Sequence, residues 1–166
     1  MSIVPLIYND AQKQEIEDFK DAVLNAAADI DGKSVDSFRL RELRATDFDS
    51  ITDDEYAWDW STTDGEQTTF QFATIDKFAA VGIYGWCNGN VGNTVTLFRV
   101  VVGDTTALRL VGMQMTRNLS GSQTCLFLNK VIAKRGQEFK ILPTTVGASA
   151  TSQAMPMGFV AIPQSG

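Results

Sequence analysis

TVTLFRVVVGDTTALRLVGMQM, residues 94–115, holds two apolar, β-branched runs at 94–102 and 106–115, separated by Gly103-Asp104. A Gly-Asp pair between two such runs is the local signature of a tight hairpin turn. The stretch therefore predicts two neighbouring antiparallel strands. The same texture recurs on both sides of it. SFRLREL (37–43) alternates apolar and charged residues, as a half-exposed strand does. TTFQFATI (68–75), AAVGIYGWC (79–87), TCLFLNKVIA (124–133), EFKILP (138–143) and GFVAIP (158–163) are rich in β-branched or aromatic residues. Gly-, Asn- and Ser-rich punctuation bounds them, as in NGNVGN, NLSGS and KRGQ. No strand–helix–strand alternation appears, which argues against a parallel sheet. The predicted fold is mainly β: an antiparallel β-sandwich or jelly roll of seven to nine strands over residues 33–166, preceded by one helix.

That helix is predicted over 9–32. Asn9 can cap it, Gln12 completes an amide form of the capping box, and Gly32 suits a left-handed C-cap. Ile16, Phe19, Val23, Ala26 and Ile30 follow one another at spacings of 3, 4, 3 and 4, which makes a one-sided stripe. Laid on its own sheet the stripe is core. At an oligomer axis it is a seam, but two heptads are too few for a coiled coil to stand alone. Residues 1–8 read as an edge strand or an extended arm, because Pro5 forbids a ladder bond. The segment 144–157 is small and polar, and reads as a long surface loop or a strip lying on a partner. Ile3, Val4, Leu6 and Ile7 of the arm, Ile16, Phe19 and Val23 of the helix, and Met155 and Met157 are the candidate contacts to another protein.

Charge is divided along the chain. Residues 1–78 hold 18 acids and 7 bases, and residues 79–166 hold 2 acids and 7 bases. Such a split suits complementarity inside the fold or head-to-tail association of copies. The bases of residues 79–166 are scattered singly, apart from Lys134, Arg135 and Lys140, and the sequence pI is near 4.6; both argue against a nucleic-acid partner. No apolar run approaches the roughly 18–20 residues that cross a bilayer, so no membrane partner is expected. MSIVPLIYND lacks the basic and apolar regions of a signal peptide, which predicts synthesis in the cytoplasm. For Cys87 and Cys125 a disulfide stays open, with two buried free thiols the simpler reading.

The chain has no histidine, which removes the usual general base and the commonest metal ligand. No nucleophile elbow, phosphate loop or dinucleotide fingerprint is present. Chemistry has one other place to reside: DFDSITDDEYAWDWSTTDGE, residues 47–66, with eight carboxylates and no Lys or Arg. A carboxylate pair can hydrolyse glycosides, and hard oxygens can hold Ca²⁺, but the spacing of an EF-hand is missing. Tyr56, Trp58 and Trp60 alternate and would share one strand face. That row is either core or a stacking platform for sugar rings. The expectation is no enzyme, no cofactor and no metal.

TLFRVVVGDTTALRLVGMQM, TCLFLNKVIAKRGQEFKILP and MGFVAIP, following an apolar arm and one capped helix, resemble in style the jelly-roll capsid decoration (cement) proteins and fibre-base proteins of tailed bacteriophages. The resemblance spans residues 68–163 and carries over no site residues. It implies a virion structural protein made in the host cytoplasm. Its place would be the capsid surface, its partners capsid or other virion proteins, and its form a homo-oligomer, with a trimer favoured. The alternative is a glycan- or receptor-binding module of a phage fibre or tail, with Tyr56, Trp58 and Trp60 as its platform.

Overall fold

The computed structural model describes residues 8–51, 60–62, 64–88, 95–111, 124–146, 149–152 and 154–164. One long helix, α1 (Asp10–Asp31), leads into strands β1 (Phe38–Glu42), β2 (Trp60–Thr62), β3 (Gly65–Glu66), β4 (Phe70–Phe72), β5 (Ala80–Asn88), β6 (Val95–Val102), β7 (Thr105–Val111), β8 (Thr124–Lys134), β9 (Phe139–Thr145), β10 (Ser149–Ser152) and β11 (Ala154–Pro163). Two short 3-10 turns flank β1, at Val35–Ser37 and Ala45–Asp47.

The innermost pair is the β6–β7 hairpin around Gly103-Asp104. Gly103 has φ of 59° and no other residue type among those described has positive φ. A glycine alone at the first turn position is the II′ arrangement, whose twist matches that of the strands. Outward from this turn, each strand pairs with its mirror image in the chain. β5 pairs with β8, β4 and β3 with β9, β2 with β10, and β1 with β11. The described strands from β1 to β11 are thus paired as one long antiparallel hairpin. It is wound so that β11 also lies on β5 and β9 also lies on β6. The outcome is a sheet of order β1-β11-β5-β8 and a five-stranded sheet in which β9 joins β3 and β4 to β6, followed by β7. This double-sheet winding is a jelly roll. The nine strands of the two sheets match the upper end of the expectation, and the short β2–β10 ladder adds two more.

Between the sheets, Phe48, Phe70, Phe72, Trp86, Phe98, Phe127 and Phe139 form an aromatic core. Trp86 and Phe98 meet at 4.4 Å between ring centroids, tilted by 51°. Alternation delivers these residues inward. In β6, Phe98 and Val100 enter the core, whereas Arg99 faces out and grips Glu66 through two bonds of 2.6 and 3.1 Å. Pro143 sits inside the central strand β9. Its carbonyl accepts from the Gln67 amide, and its ring nitrogen, on the same side, has no hydrogen to give. The strand on that side breaks there into β3 and β4.

α1 covers the outer face of β1-β11-β5-β8, so that sheet is buried on both faces. The capping box forms as the sequence predicts, with the Gln12 amide donating to Asn9 Oδ1 and the Asn9 amide donating to Gln12 Oε1. Gly32, at φ 61°, closes the helix. Phe19, Val23 and Ala27 are buried against Phe38, Ala79, Ala80, Phe159 and Ala161. Small residues on the sheet let the helix approach closely. The buried row thus runs i, i+4, i+8 and passes through Ala27; Ile30, expected in the stripe, is exposed. The helix acids also meet bases of β8 and the turn after it: Glu15 with Lys130, Asp29 with Lys134, and Asp31 with Arg135, at 3.5, 2.9 and 2.6 Å. Here the uneven charge distribution is answered within one chain. The exposed pair Asp29–Lys134 contributes about 0–1 kcal/mol, whereas Asp31 is only 10% exposed.

One expectation is corrected. The segment 144–157 is largely strand: β9 runs to Thr145, β10 pairs with β2, and β11 begins at Ala154. Its small polar residues carry no strong strand signal. The ladder partners that order them, Trp60–Thr62 and Cys87–Asn88, lie far back in the chain.

Candidate interaction surface

β5 and β11 carry the outer face past the N-terminal end of α1, and the side chains there are of a distinct type. Trp86 turns into the core, so its neighbour Cys87 turns outward. The register sets Met155 directly opposite Cys87, and Met157 follows on the same face. Tyr8, the residue just before the helix cap, lays its hydroxyl toward Met157 Sδ at 4.0 Å. Tyr84 stacks on Phe159 at 5.3 Å and meets the Phe19 ring edge-on at 6.0 Å. Lys20 Nζ lies over the Phe159 ring at 5.4 Å. This part of the face is thus lined by two thioethers, two phenols and one thiol, with Met157 buried and Met155, Cys87, Tyr8 and Tyr84 half-buried.

Burial, then the neighbouring Tyr8 and Glu42, pushes the Tyr84 phenol far above its ordinary value of 10.0. Tyr8 is raised too, first by burial and then by Cys87. The linkage has a definite sign. Above pH 10 the unfolded chain gives up a phenol proton that the folded chain keeps, so stability falls as pH rises through that range. One such group is expected to remove about 1.4 kcal/mol per pH unit there. Denaturant melts at pH 9, 10 and 11 should show the decline, and Tyr84→Phe should flatten it. An equally steep decline in the variant refutes the assignment to Tyr84.

Of the residues singled out from sequence, the structure brings Met155 and Met157 to this patch. Phe19 and Val23 lie on the buried face of α1, with Val23 at 0% exposure, and pack into this chain's own core. Ile16 is half-buried at the rim of the same cluster. Ile3, Val4, Leu6 and Ile7 lie outside the described residues, as do Tyr56 and Trp58; Trp60 begins β2. Cys87 is a free thiol, and the register places Cys125 opposite Trp86 rather than opposite Cys87. Cys87, Tyr8 and Tyr84 were not singled out as interaction residues. The faint available signal was alternation: Met155 and Met157 stand two apart on one strand.

The described ends of the acidic stretch are structural. Asp47 is buried and takes both Arg41 guanidinium nitrogens at 2.7 and 2.6 Å, and the Arg44 amide at 2.7 Å. Asp49 accepts from the Ala73 amide at 2.9 Å. Asp53, Asp54, Glu55 and Asp59 lie outside the described residues. Among the described residues, no three Cys, Asp or Glu side chains are grouped to hold a metal, and no helix is long and apolar enough to cross a membrane.

No protein-family model, curated protein or solved structure matches this chain.

Proposed function

We propose that the chain is a non-enzymatic structural protein of a virion, a capsid decoration protein that binds the shell through protein–protein contacts. The observation that carries this reading is the jelly-roll winding of residues 38–163, an architecture that viral capsid domains share with lectins and cupins. The support is by analogy of fold, and the same scaffold hosts other functions. A second feature agrees with it. The sequence before Tyr8 is apolar, with Ile3, Val4, Leu6 and Ile7, and half-buried Met155 lies on the outer face of β11 as a candidate for apolar contact. Burying such surface contributes about 25 cal/mol per Å², and repeated copies on a shell multiply weak contacts by avidity. The assembled form proposed is a homotrimer at a local symmetry point.

The test is co-sedimentation of the purified chain with shells of its source virus that lack it. The expected result is saturable binding at a copy number set by the shell's symmetry, weakened by deletion of residues 1–7. Absence of binding to such shells overturns the reading, as does capture by host-surface glycans alone.

A further inference from the structure

We propose that Cys87, Met155 and Met157 form a binding site for a soft monovalent cation of the Cu(I) type, on the outer face of β1-β11-β5-β8. The ladder sets the geometry. Met155 and Cys87 are direct partners across β11 and β5, and opposite residues on one face hold their Cβ atoms about 4.5–5.5 Å apart. Met157 stands two residues along β11 on the same face, a diagonal neighbour of the thiol. Tyr8 borders the site, with its hydroxyl 4.0 Å from Met157 Sδ. Flexible methionine side chains can turn their sulfurs toward a common point without moving the strands.

The chemistry of the donor set chooses the ion. One thiolate and two thioethers are soft ligands, which suit Cu(I) and do not suit Ca²⁺ or Mg²⁺. Cu(I) binding would form a bond to Cys87 Sγ and break its S–H bond. The proton passes to water and no electron moves. The thiolate charge then neutralises the cation, so the half-buried face is left with no net charge to solvate. Cys87 is free to serve, since it is in no disulfide. This inference stands apart from the virion reading and does not depend on it.

The experiment uses the full chain, kept reduced and anaerobic, titrated against Cu(I) held by a chromophoric chelator. One Cu(I) per chain should leave the chelator, and X-ray absorption fine structure should count three sulfurs around it. Losing even an outer-shell partner costs about 10–100-fold in metal affinity, so removing a ligand should cost at least that. Cys87→Ser and the pair Met155→Leu with Met157→Leu should each show such a loss. Leucine conserves volume, and circular dichroism confirms that the fold survives. No transfer of Cu(I) from the chelator overturns the proposal. Full retention in the double leucine variant also overturns it, because the thiol alone would then account for binding.

Discussion

Alanine at position 158 is expected to lower stability by about 3 kcal/mol or more, at the upper end of what overpacking does. At this chain length that is a fall in Tm of roughly 6–12 °C. A Cβ built on Gly158 overlaps the carbonyl oxygen of Gly82 and stands 3.0 Å from Ile83 Cγ2. The obstacle is backbone, and it has nowhere to retreat. β5 is held between β11 and β8, and the outer face above it is covered by α1. Gly82→Ala meets different resistance. Its Cβ would lie 2.5 Å from Val23 Cγ2 and 2.6 Å from Phe19 Cζ, both ends of helix side chains. The helix can lift to admit it, so the expected cost is about 1–3 kcal/mol. Hydrogen exchange separates the two. Gly82→Ala should lower protection mainly in α1, and Gly158→Ala should lower it throughout the β1-β11-β5-β8 sheet. A Gly158→Ala protein as stable as the parent in denaturant would refute the close approach of these strands.

Asp47→Ala is the second large effect, expected at about 3 kcal/mol, the lower end for breaking a buried pair. The Asp47 side chain is only 7% exposed, and it is the bidentate partner of Arg41, which is itself 26% exposed. Removing the carboxylate takes both of its bonds from the guanidinium that lies over the Phe78 ring, and removes the Asp47 oxygen that accepts from the Arg44 amide. Asp47→Asn should cost less, since an amide oxygen still accepts from Arg44. The double replacement Arg41→Met with Asp47→Leu should recover part of the loss, because apolar replacement of both partners removes the stranded charge. Urea titration of the parent, the Arg41→Met and Asp47→Leu single variants and the double variant forms a double-mutant cycle. A double variant as unstable as the sum of the two singles would show that the pair is not coupled.

These two sites also mark where sequence reading succeeded and where it stopped. Asn9, Gln12 and Gly32 announced α1 to the residue, because caps are contacts within a few residues of chain. Gly103-Asp104 announced the β6–β7 hairpin for the same reason. β10 was invisible: Ser149–Ser152 is small and polar, and its partner Trp60–Thr62 lies in the other half of the chain. Ile30 looked like core by spacing alone. The sheet beneath is faced with alanine and glycine, which drew Ala27 in and left Ile30 out. At the candidate site, Met155 and Met157 were legible as a pair, but Cys87 opposite them was not. Its neighbour across the ladder is set by register over nearly seventy residues, roughly as far as sequence patterns fail to reach.

The mirror pairing about Gly103-Asp104 also governs how the chain can come off the ribosome. β1 finds its ladder partner only when Phe159–Pro163 has been made, more than a hundred residues later. At about 5–20 residues per second, the nascent chain waits on the order of ten seconds with Phe38 and the apolar side of α1 uncovered. Only the β6–β7 hairpin can close early, because its loop is two residues long. The other ladders join strands that stand far apart in the chain. High contact order of this kind makes for slow folding, in the range of milliseconds to seconds after release. Folding from the middle outward, with α1 docking last, follows from the winding itself.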